Sequence, residues 1–116
     1  MQLEALVGQF VVEIGVRQVW PFLGFCDNRP TPSTEVRFYF DAPFSTSEPD
    51  WWLTEGDPDA GLPHLLELNG MTVTAVERAE DRSLTIVFDD GDARLTVSGE
   101  PTAHTTGDVW WFGSAG

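Results

Sequence analysis

The chain has 116 residues, of which 41% are hydrophobic and 12% aromatic, and its 19 acidic residues face six basic residues, all of them arginine. This length and composition predict one globular domain, residues 1–116, that needs neither a metal nor a disulfide to fold. The formal net charge of −13 argues against binding to nucleic-acid phosphates or to anionic membranes. It suits a basic partner, a cation-rich setting, or solubility alone.

The sequence predicts a cytoplasmic protein. The single cysteine, Cys26, cannot form an internal disulfide, so nothing indicates an oxidising compartment. The opening residues Met1–Leu6 lack the basic and apolar regions of a signal peptide. No apolar run approaches the ~18 residues of a membrane span.

Residues 1–43 predict a first unit of three strands. A short helical turn over Met1–Leu6 is stopped by Gly8, and a strand follows it. Its inward face is expected to carry Phe10, Val12, Ile14 and Val16. The second strand is expected over Val19–Phe25 at a sheet edge or a bulge, because Pro21 has no N–H for the ladder.

The third strand of this unit is expected over Glu35–Phe40. Alternation directs Val36, Phe38 and Phe40 inward and the other three side chains outward. Residues 44–61 then predict a long acidic surface loop, which Trp51 and Trp52 anchor. Residues 62–69 predict a short helix, whose buried stripe consists of Leu62, Leu65, Leu66 and Leu68.

Residues 70–112 predict a second unit and a terminal strand. Met71–Glu77 reads as a strand, and Asp90-Gly91 is a strong two-residue hairpin signal, because both central turn positions need φ > 0. The hairpin pairs Phe88 with Ala93, Ile86 with Leu95 and Leu84 with Val97 on one face. Asp108–Phe112 closes the chain as a strand that is apolar on both faces.

The two units echo each other. Leu6-Val-Gly8 matches Leu68-Asn-Gly70, Val11 matches Val73 at the same offset, and Asp27 matches Asp89. We therefore predict a mainly β fold: a six- or seven-stranded antiparallel barrel or sandwich, built from two pseudo-repeated three-strand units with one short helix.

Several motifs of the chain occur in a fixed order: Leu6-Val-Gly8, Leu65-Leu-Glu-Leu-Asn-Gly70, Val73, Leu84-Thr-Ile-Val-Phe-Asp-Asp-Gly91, Leu95-Thr-Val97 and a C-terminal tryptophan strand. This pattern resembles a family of small, mainly actinobacterial proteins classed as a domain of unknown function. Where such relatives end in an aromatic-acidic-small-tryptophan run, this chain has Gly107-Asp-Val-Trp-Trp111. The resemblance implies one β-rich bacterial domain, and it transfers no catalytic residues.

Candidate chemistry is sparse. The cluster Asp89-Asp90-Gly91-Asp92 is a hairpin turn in preference to a calcium loop, which needs further oxygen ligands and a bidentate acid downstream. Cys26 with His64 or His104 matches no nucleophile–base signature, and no G-x-S-x-G elbow is present. We expect no metal, no cofactor and no enzymatic activity.

The tryptophan doublets and the acidic loop predict an interaction surface. In a doublet on a strand, one ring goes to each face, so one of Trp110 and Trp111 belongs to the core. The predicted surface comprises Trp51, Trp52, Glu55, Asp57, Asp59 and Trp110. The favoured function is a non-enzymatic interaction module for a basic protein partner, with an immunity-type role as one form of it. The alternatives are a small-ligand-binding barrel with a Trp-lined pocket and, less favoured, an enzyme.

A homodimer is a further expectation. It would form through the sheet edge at Val19–Phe25 or through the terminal strand, because lysine-free edges lack one common guard against edge pairing.

Overall fold

The structure, a computed structural model, describes residues 3–18, 20–27, 35–42, 44–46, 65–80, 82–99 and 109–114. Eight strands lie in these ranges: β1 (Phe10–Arg17), β2 (Trp20–Cys26), β3 (Glu35–Phe40), β4 (Phe44–Ser45), β5 (Val73–Arg78), β6 (Leu84–Phe88), β7 (Ala93–Val97) and β8 (Trp110–Ser114). A short 3₁₀ helix over Leu3–Leu6 precedes β1, and a second over Asp89–Gly91 joins β6 to β7.

The strands form two antiparallel sheets of four strands each. The first sheet has the order β1-β2-β3-β8, and the second has the order β4-β7-β6-β5. The mainly β prediction is confirmed, but the barrel alternative is wrong because the sheets do not close. The strand count rises to eight because β4 falls at the start of the stretch assigned to a loop, and two residues are too few for alternation to show.

The fourth strand of each sheet comes from the other half of the chain. β4 follows β3 along the chain but pairs with β7, where Ser45 lies opposite Thr96. β8 follows β7 but pairs with β3, where Trp111 lies opposite Tyr39. The repeated unit therefore has four strands, and the exchange of the fourth strand links the two sheets.

The segments that lead into β1 and β5 lie side by side and are related by a pseudo-twofold axis. The amide of Gly8 donates to the carbonyl oxygen of Val73, and the amide of Gly70 donates to that of Val11, both at 2.9 Å. Both glycines have positive φ, 92° and 81° respectively, a backbone conformation that other residues adopt only with strain. The two hydrogen bonds join the matched motifs that the sequence echo identified.

A β-bulge shifts the inward face of β1. The register shifts between Val11 and Glu13, and β5 has the same irregularity between Val73 and Ala75. The extra residue reverses the alternation that follows it. Val11 is therefore buried and Val12 is 38% exposed, so the prediction that Phe10 and Val12 share the inward face with Ile14 is wrong.

β2 lies inside its sheet, between β1 and β3. The prediction of an edge or bulge at Pro21 is therefore wrong. Pro21 lies at the hairpin end of β2, where it pairs with Val16, and the β2–β3 register begins only at Phe22. This position tolerates the missing N–H because the ladder to β3 has not yet begun.

The β6–β7 hairpin has the predicted register. Its three pairs on the buried face are Phe88 with Ala93, Ile86 with Leu95, and Leu84 with Val97. The turn residues Asp90 and Gly91 have φ of 59° and 108°, as the turn chemistry requires. On the opposite face, the hydroxyls of Thr85 and Thr96 are 3.1 Å apart and hydrogen-bonded.

One hydrophobic core takes side chains from both sheets and from the segments that precede β1 and β5. Its largest fully buried members are Phe25, Phe38, Phe40, Phe88, Leu3, Leu6, Leu23, Leu65, Leu68, Leu84, Ile86 and Leu95. Of the predicted helix 62–69, Leu65 and Leu66 are helical and a turn follows, while residues 62–64 lie outside the described ranges. Leu66 is 54% exposed, so its assignment to the buried stripe is wrong.

No helix within the described ranges is both long and apolar enough to span a membrane.

Candidate functional site

The outer face of the first sheet carries a row of four aromatic side chains. Alternate residues of a strand point to the same side, so β2 contributes Trp20 and Phe22 and β3 contributes Tyr39. β8 adds Trp111 directly opposite Tyr39, and Phe22 lies opposite Tyr39 on the other side. We call these four residues the aromatic face.

The four rings contact one another in sequence across the sheet. Ring centroids are 5.3 Å apart for Phe22 and Tyr39, 5.6 Å for Tyr39 and Trp111, and 5.2 Å for Trp111 and Trp20. Tyr39 and Trp111 are stacked, and the two tryptophans meet at 87°, both favourable aromatic geometries. Phe22 and Tyr39 are nearly covered, whereas both tryptophans keep part of their surface exposed.

Arg37 holds one side of the aromatic face in place. Its Nε donates to Oε1 of Glu13 at 2.9 Å, and its Nη2 donates to Oε2 of the same carboxylate at 3.0 Å. Its guanidinium carbon lies 4.5 Å from the centroid of the Phe22 ring, a cation–π distance. The hydrogen bonds to Glu13 raise the pKa of Arg37 above its ordinary value, so the guanidinium stays protonated.

The Tyr39 hydroxyl lies under the influence of two guanidinium groups. Burial raises its pKa, but hydrogen bonds from Arg37 and Arg17 act in the opposite direction, and the net pKa lies below the ordinary value of 10.0. The paired arginine of β3 and the exposed arginine of β1 therefore both lower the pKa of this hydroxyl.

Two glycines make room for this arrangement. A Cβ at Gly113 would lie 2.9 Å from Cε2 of Tyr39, and a Cβ at Gly24 would lie 2.8 Å from the Cβ of Glu13. Both distances are too short for real side chains, so the rings and the ion pair lie against bare backbone. Glycine inside a strand is unfavourable in itself, which indicates that the close packing on this face compensates for it.

An open groove of about 550 Å³ borders the aromatic face. The residues that line it are Trp20, Tyr39, Trp111, Phe112 and Gly113, together with Arg17 and Gln18. Pockets for small molecules commonly have volumes of roughly 300–1,000 Å³ and combine apolar walls with a few polar groups. The groove has a volume in that range, and its accessible lining is more polar than apolar.

The second sheet provides an internal comparison for the aromatic face. The pseudo-twofold axis relates β2–β3 to β6–β7. When the two hairpins are aligned by their pairing registers, the Phe22–Tyr39 pair corresponds to the Thr85–Thr96 pair, because each of these pairs is the neighbour of a matched core pair. Trp111 corresponds in the same way to Ser45.

The fold therefore does not require aromatic side chains at these positions. In the second sheet the corresponding residues are threonine or serine, and the two threonines simply hydrogen-bond to each other. The rings of the first sheet are a feature of that face alone. Tryptophan, tyrosine and arginine are the residue types that most often dominate protein-binding surfaces.

Comparisons with protein-family models, curated proteins and solved structures find no match. The family resemblance therefore stays a prediction, and the site rests on its own residues.

The Trp110–Trp111 doublet divides between the two faces of β8, as strand geometry predicts. Trp110 packs against the core and its ring lies 5.7 Å from that of Phe38. Trp111 is the ring on the outer face. Sequence analysis named Trp110 for the interaction surface; that assignment stays a prediction, and the described geometry favours Trp111.

The other predicted surface residues lie outside the described residues: Trp51, Trp52, Glu55, Asp57 and Asp59. His64 and His104, the suggested bases for Cys26, also lie outside them. Cys26 is buried and is not part of a disulfide.

The acidic cluster at residues 89–92 has a structural role in the hairpin. The carboxylate of Asp89 accepts a hydrogen bond from the amide of Thr72 at 3.0 Å, and the amide of Asp90 donates to the Thr74 hydroxyl at the same distance. Within the described ranges, no three histidine, cysteine or acidic side chains are placed to hold a metal ion.

Sequence analysis missed Trp20, Phe22, Tyr39 and Arg17 as site residues. Tyr39 was assigned outward but not to a cluster, because its neighbours Phe22 and Trp111 come from distant parts of the chain. The available signal was the placing of aromatic residues and glycines at outward positions of the same strands, where polar residues are the rule.

Proposed function

We propose that this protein is a non-enzymatic interaction module that docks a partner protein through the aromatic face and the adjoining groove. The observation that carries the proposal is the contrast between the two sheets. Equivalent positions hold Tyr39 and Trp111 on one sheet and Thr96 and Ser45 on the other. Partly exposed tryptophans beside an arginine have the composition of a binding hot spot.

The composition of the groove supports a binding role over a catalytic one. General acid–base catalysis needs a titratable group with access to substrate. Tyr39 is nearly covered by its neighbours, and the other titratable side chain among the described residues that line the groove is an arginine, which stays protonated. The described lining therefore offers contacts in preference to proton transfer.

The overall charge supports a partner that is basic. A net charge of −13 steers cationic proteins toward the molecule over a distance of about a Debye length. Glu55, Asp57 and Asp59 would take part in this attraction. In a cytoplasmic setting, neutralisation of a cationic toxin by an immunity-type protein is one role that would fit.

A small ligand in the groove is the second candidate. The favouring observation is a groove of about 550 Å³ that two tryptophans line. This site lies outside the sheets, whereas the interior is filled by Phe38, Phe40 and Phe88, which are fully buried. A ligand would therefore bind on the outer face, and not inside a barrel.

The test is a capture experiment with paired variants. The immobilised full-length protein is incubated with native cell extract at low and at physiological salt, and the retained proteins are identified by mass spectrometry. Wild type and the control T85V, on the second sheet, should retain the same specific protein, and W20S/W111S should lose it. Equal retention by all three proteins, or no specific retention at either salt concentration, would contradict the proposal.

We also propose that the protein forms a homodimer through β8. β8 is one of the two outer strands of its sheet, whereas β2 lies inside it, so the expected edge at Val19–Phe25 is wrong. Light scattering on wild type and on a variant with Phe112→Pro in β8 tests this. Dimeric wild type with a monomeric variant would support it, and a variant that stays dimeric would contradict it.

A further inference from the structure

We infer that the groove selects a carboxylate, so that the partner seats an apolar or aromatic group against Trp20 and Trp111 and pairs an adjoining carboxylate with Arg17. This inference rests on the proposed function, since it specifies the chemistry of the segment that docks there. It differs from the proposed preference for a basic partner, which acts at long range and depends on the overall charge of that partner.

Arg17 is the arginine whose charge is available in the groove. Among the described residues, Arg37, Arg78 and Arg94 each form an ion pair with a glutamate, and no ion pair between these residues involves Arg17. Arg37 is already paired, because its Nε and Nη2 both donate to the carboxylate of Glu13. The exposed Arg17 lines the groove directly.

The side chain of Arg17 lies beside the Tyr39 hydroxyl. Its guanidinium is one of the groups that lower the pKa of Tyr39, and both residues line the groove. An arginine has five N–H donors in a planar fork, so a contact with Tyr39 leaves a bidentate edge for a carboxylate.

The local charge of the groove is opposite to that of the whole molecule. The described residues that line it include Arg17 and no carboxylate, whereas the chain as a whole has a net charge of −13. A cationic side chain in the groove would be repelled by Arg17, and an anionic one would gain a charge-assisted pair. The exposed parts of the two tryptophans add apolar area beside that pair.

The test uses three probes with the same ring and different charges. Full-length protein is titrated with N-acetylphenylalanine, its neutral amide and phenethylammonium, and binding is followed by calorimetry and by the indole N–H signals in NMR. Wild type should bind the carboxylate about tenfold more tightly than the amide, as one charge-assisted hydrogen bond provides, and the cation should bind most weakly.

The variants assign the preference to one side chain. R17Q should abolish the tenfold difference while still binding the amide, and the control R94Q, an exposed arginine on the second sheet, should keep it. Equal binding of all three probes by wild type, a preference for the cation, or no binding at about 20 mM probe would overturn the inference. An unchanged preference in R17Q would also overturn it.

The outcomes separate this inference from the proposed function. If wild type captures a partner but does not prefer the carboxylate, the assignment of Arg17 fails and the interaction module stands. If the carboxylate is preferred but W20S/W111S captures the same proteins as wild type, the groove binds carboxylates and the docking proposal fails.

Discussion

Tyr39 and Thr96 occupy the same place in the two sheets. Each lies on the third strand of its unit, Tyr39 opposite Phe22 and Thr96 opposite Thr85. One is part of a row of aromatic rings, and the other hydrogen-bonds to a neighbouring hydroxyl. A single fold thus carries two outer faces of different chemistry, and the second face shows what the fold itself needs.

The aromatic face should contribute less to stability than the core does. We expect W111S to lower the free energy of unfolding by about 1–2 kcal/mol, because the ring is partly exposed. F88A should lower it by about 3–5 kcal/mol, the usual cost of truncating a buried phenylalanine. Urea unfolding followed by circular dichroism measures both. Equal losses would mean that Trp111 is a structural residue.

The titration of Tyr39 can be measured without interference, because it is the only tyrosine in the chain. We expect absorbance at the tyrosinate band to give a pKa below 10.0 in the folded protein. R17Q should shift this pKa upward, since it removes one hydrogen bond that lowers it. R94Q serves as the control and should leave it unchanged. A pKa at or above 10.0 in wild type would contradict the described arrangement.

The same shift predicts a pH dependence of stability. A group whose pKa is lower in the folded state binds more protons when unfolded, so stability rises with pH in the window between the two pKa values. The contribution of Tyr39 is therefore complete above about pH 10, the pKa of an unfolded tyrosine, and is lost as pH falls through the folded pKa. Y39F should lack this rise in the free energy of unfolding, which urea titrations at several alkaline pH values would measure.

The two ion pairs on the outer faces should differ in strength. Glu13 makes two short hydrogen bonds to the largely covered Arg37, whereas Glu77 is 4.0 Å from Arg94 and both are well exposed. We expect E13Q to lower the free energy of unfolding by about 1–2 kcal/mol and E77Q to lower it by less than about 0.5 kcal/mol. Thermal or urea unfolding of both variants decides this, and a larger loss in E77Q would contradict it.

Because the pseudo-twofold axis relates Gly8 to Gly70, replacing either glycine should lower the free energy of unfolding by a similar amount. Gly8 and Gly70 share positive φ values, and a Cβ at either would meet no atom within 4 Å. Alanine at each position should therefore cost about 1 kcal/mol through backbone strain alone. Unfolding of G8A and G70A would measure this. A neutral effect at one glycine and a large loss of stability at the other would show that the segments leading into β1 and β5 are not equivalent.

The parts of the fold that local chemistry determines could be predicted from the sequence. Asp90-Gly91 specifies its own turn, and the turn then specifies the whole β6–β7 register. The repeat of Leu6-Val-Gly8 identified the two segments that meet at the axis. These features depend on residues that are close together in the chain.

The rest depends on contacts between distant segments. The bulge at Val12 has no local signal, since a valine fits a regular strand equally well. Whether β4 and β8 pair within their own unit or with the opposite sheet is decided by contacts between distant parts of the chain. The candidate site was missed for the same reason, because Trp111 meets Tyr39 and Trp20 only through that exchange.

The central claim is that partners dock on the aromatic face, and the chain's five tryptophans allow a direct measurement of it. Each indole N–H gives its own NMR signal, which can be followed while the captured partner is titrated into labelled protein. The account predicts that the signals of Trp20 and Trp111 move or broaden first, while that of the core-packed Trp110 stays in place. Changes confined to Trp51 and Trp52, with Trp20 and Trp111 unaffected, would contradict it.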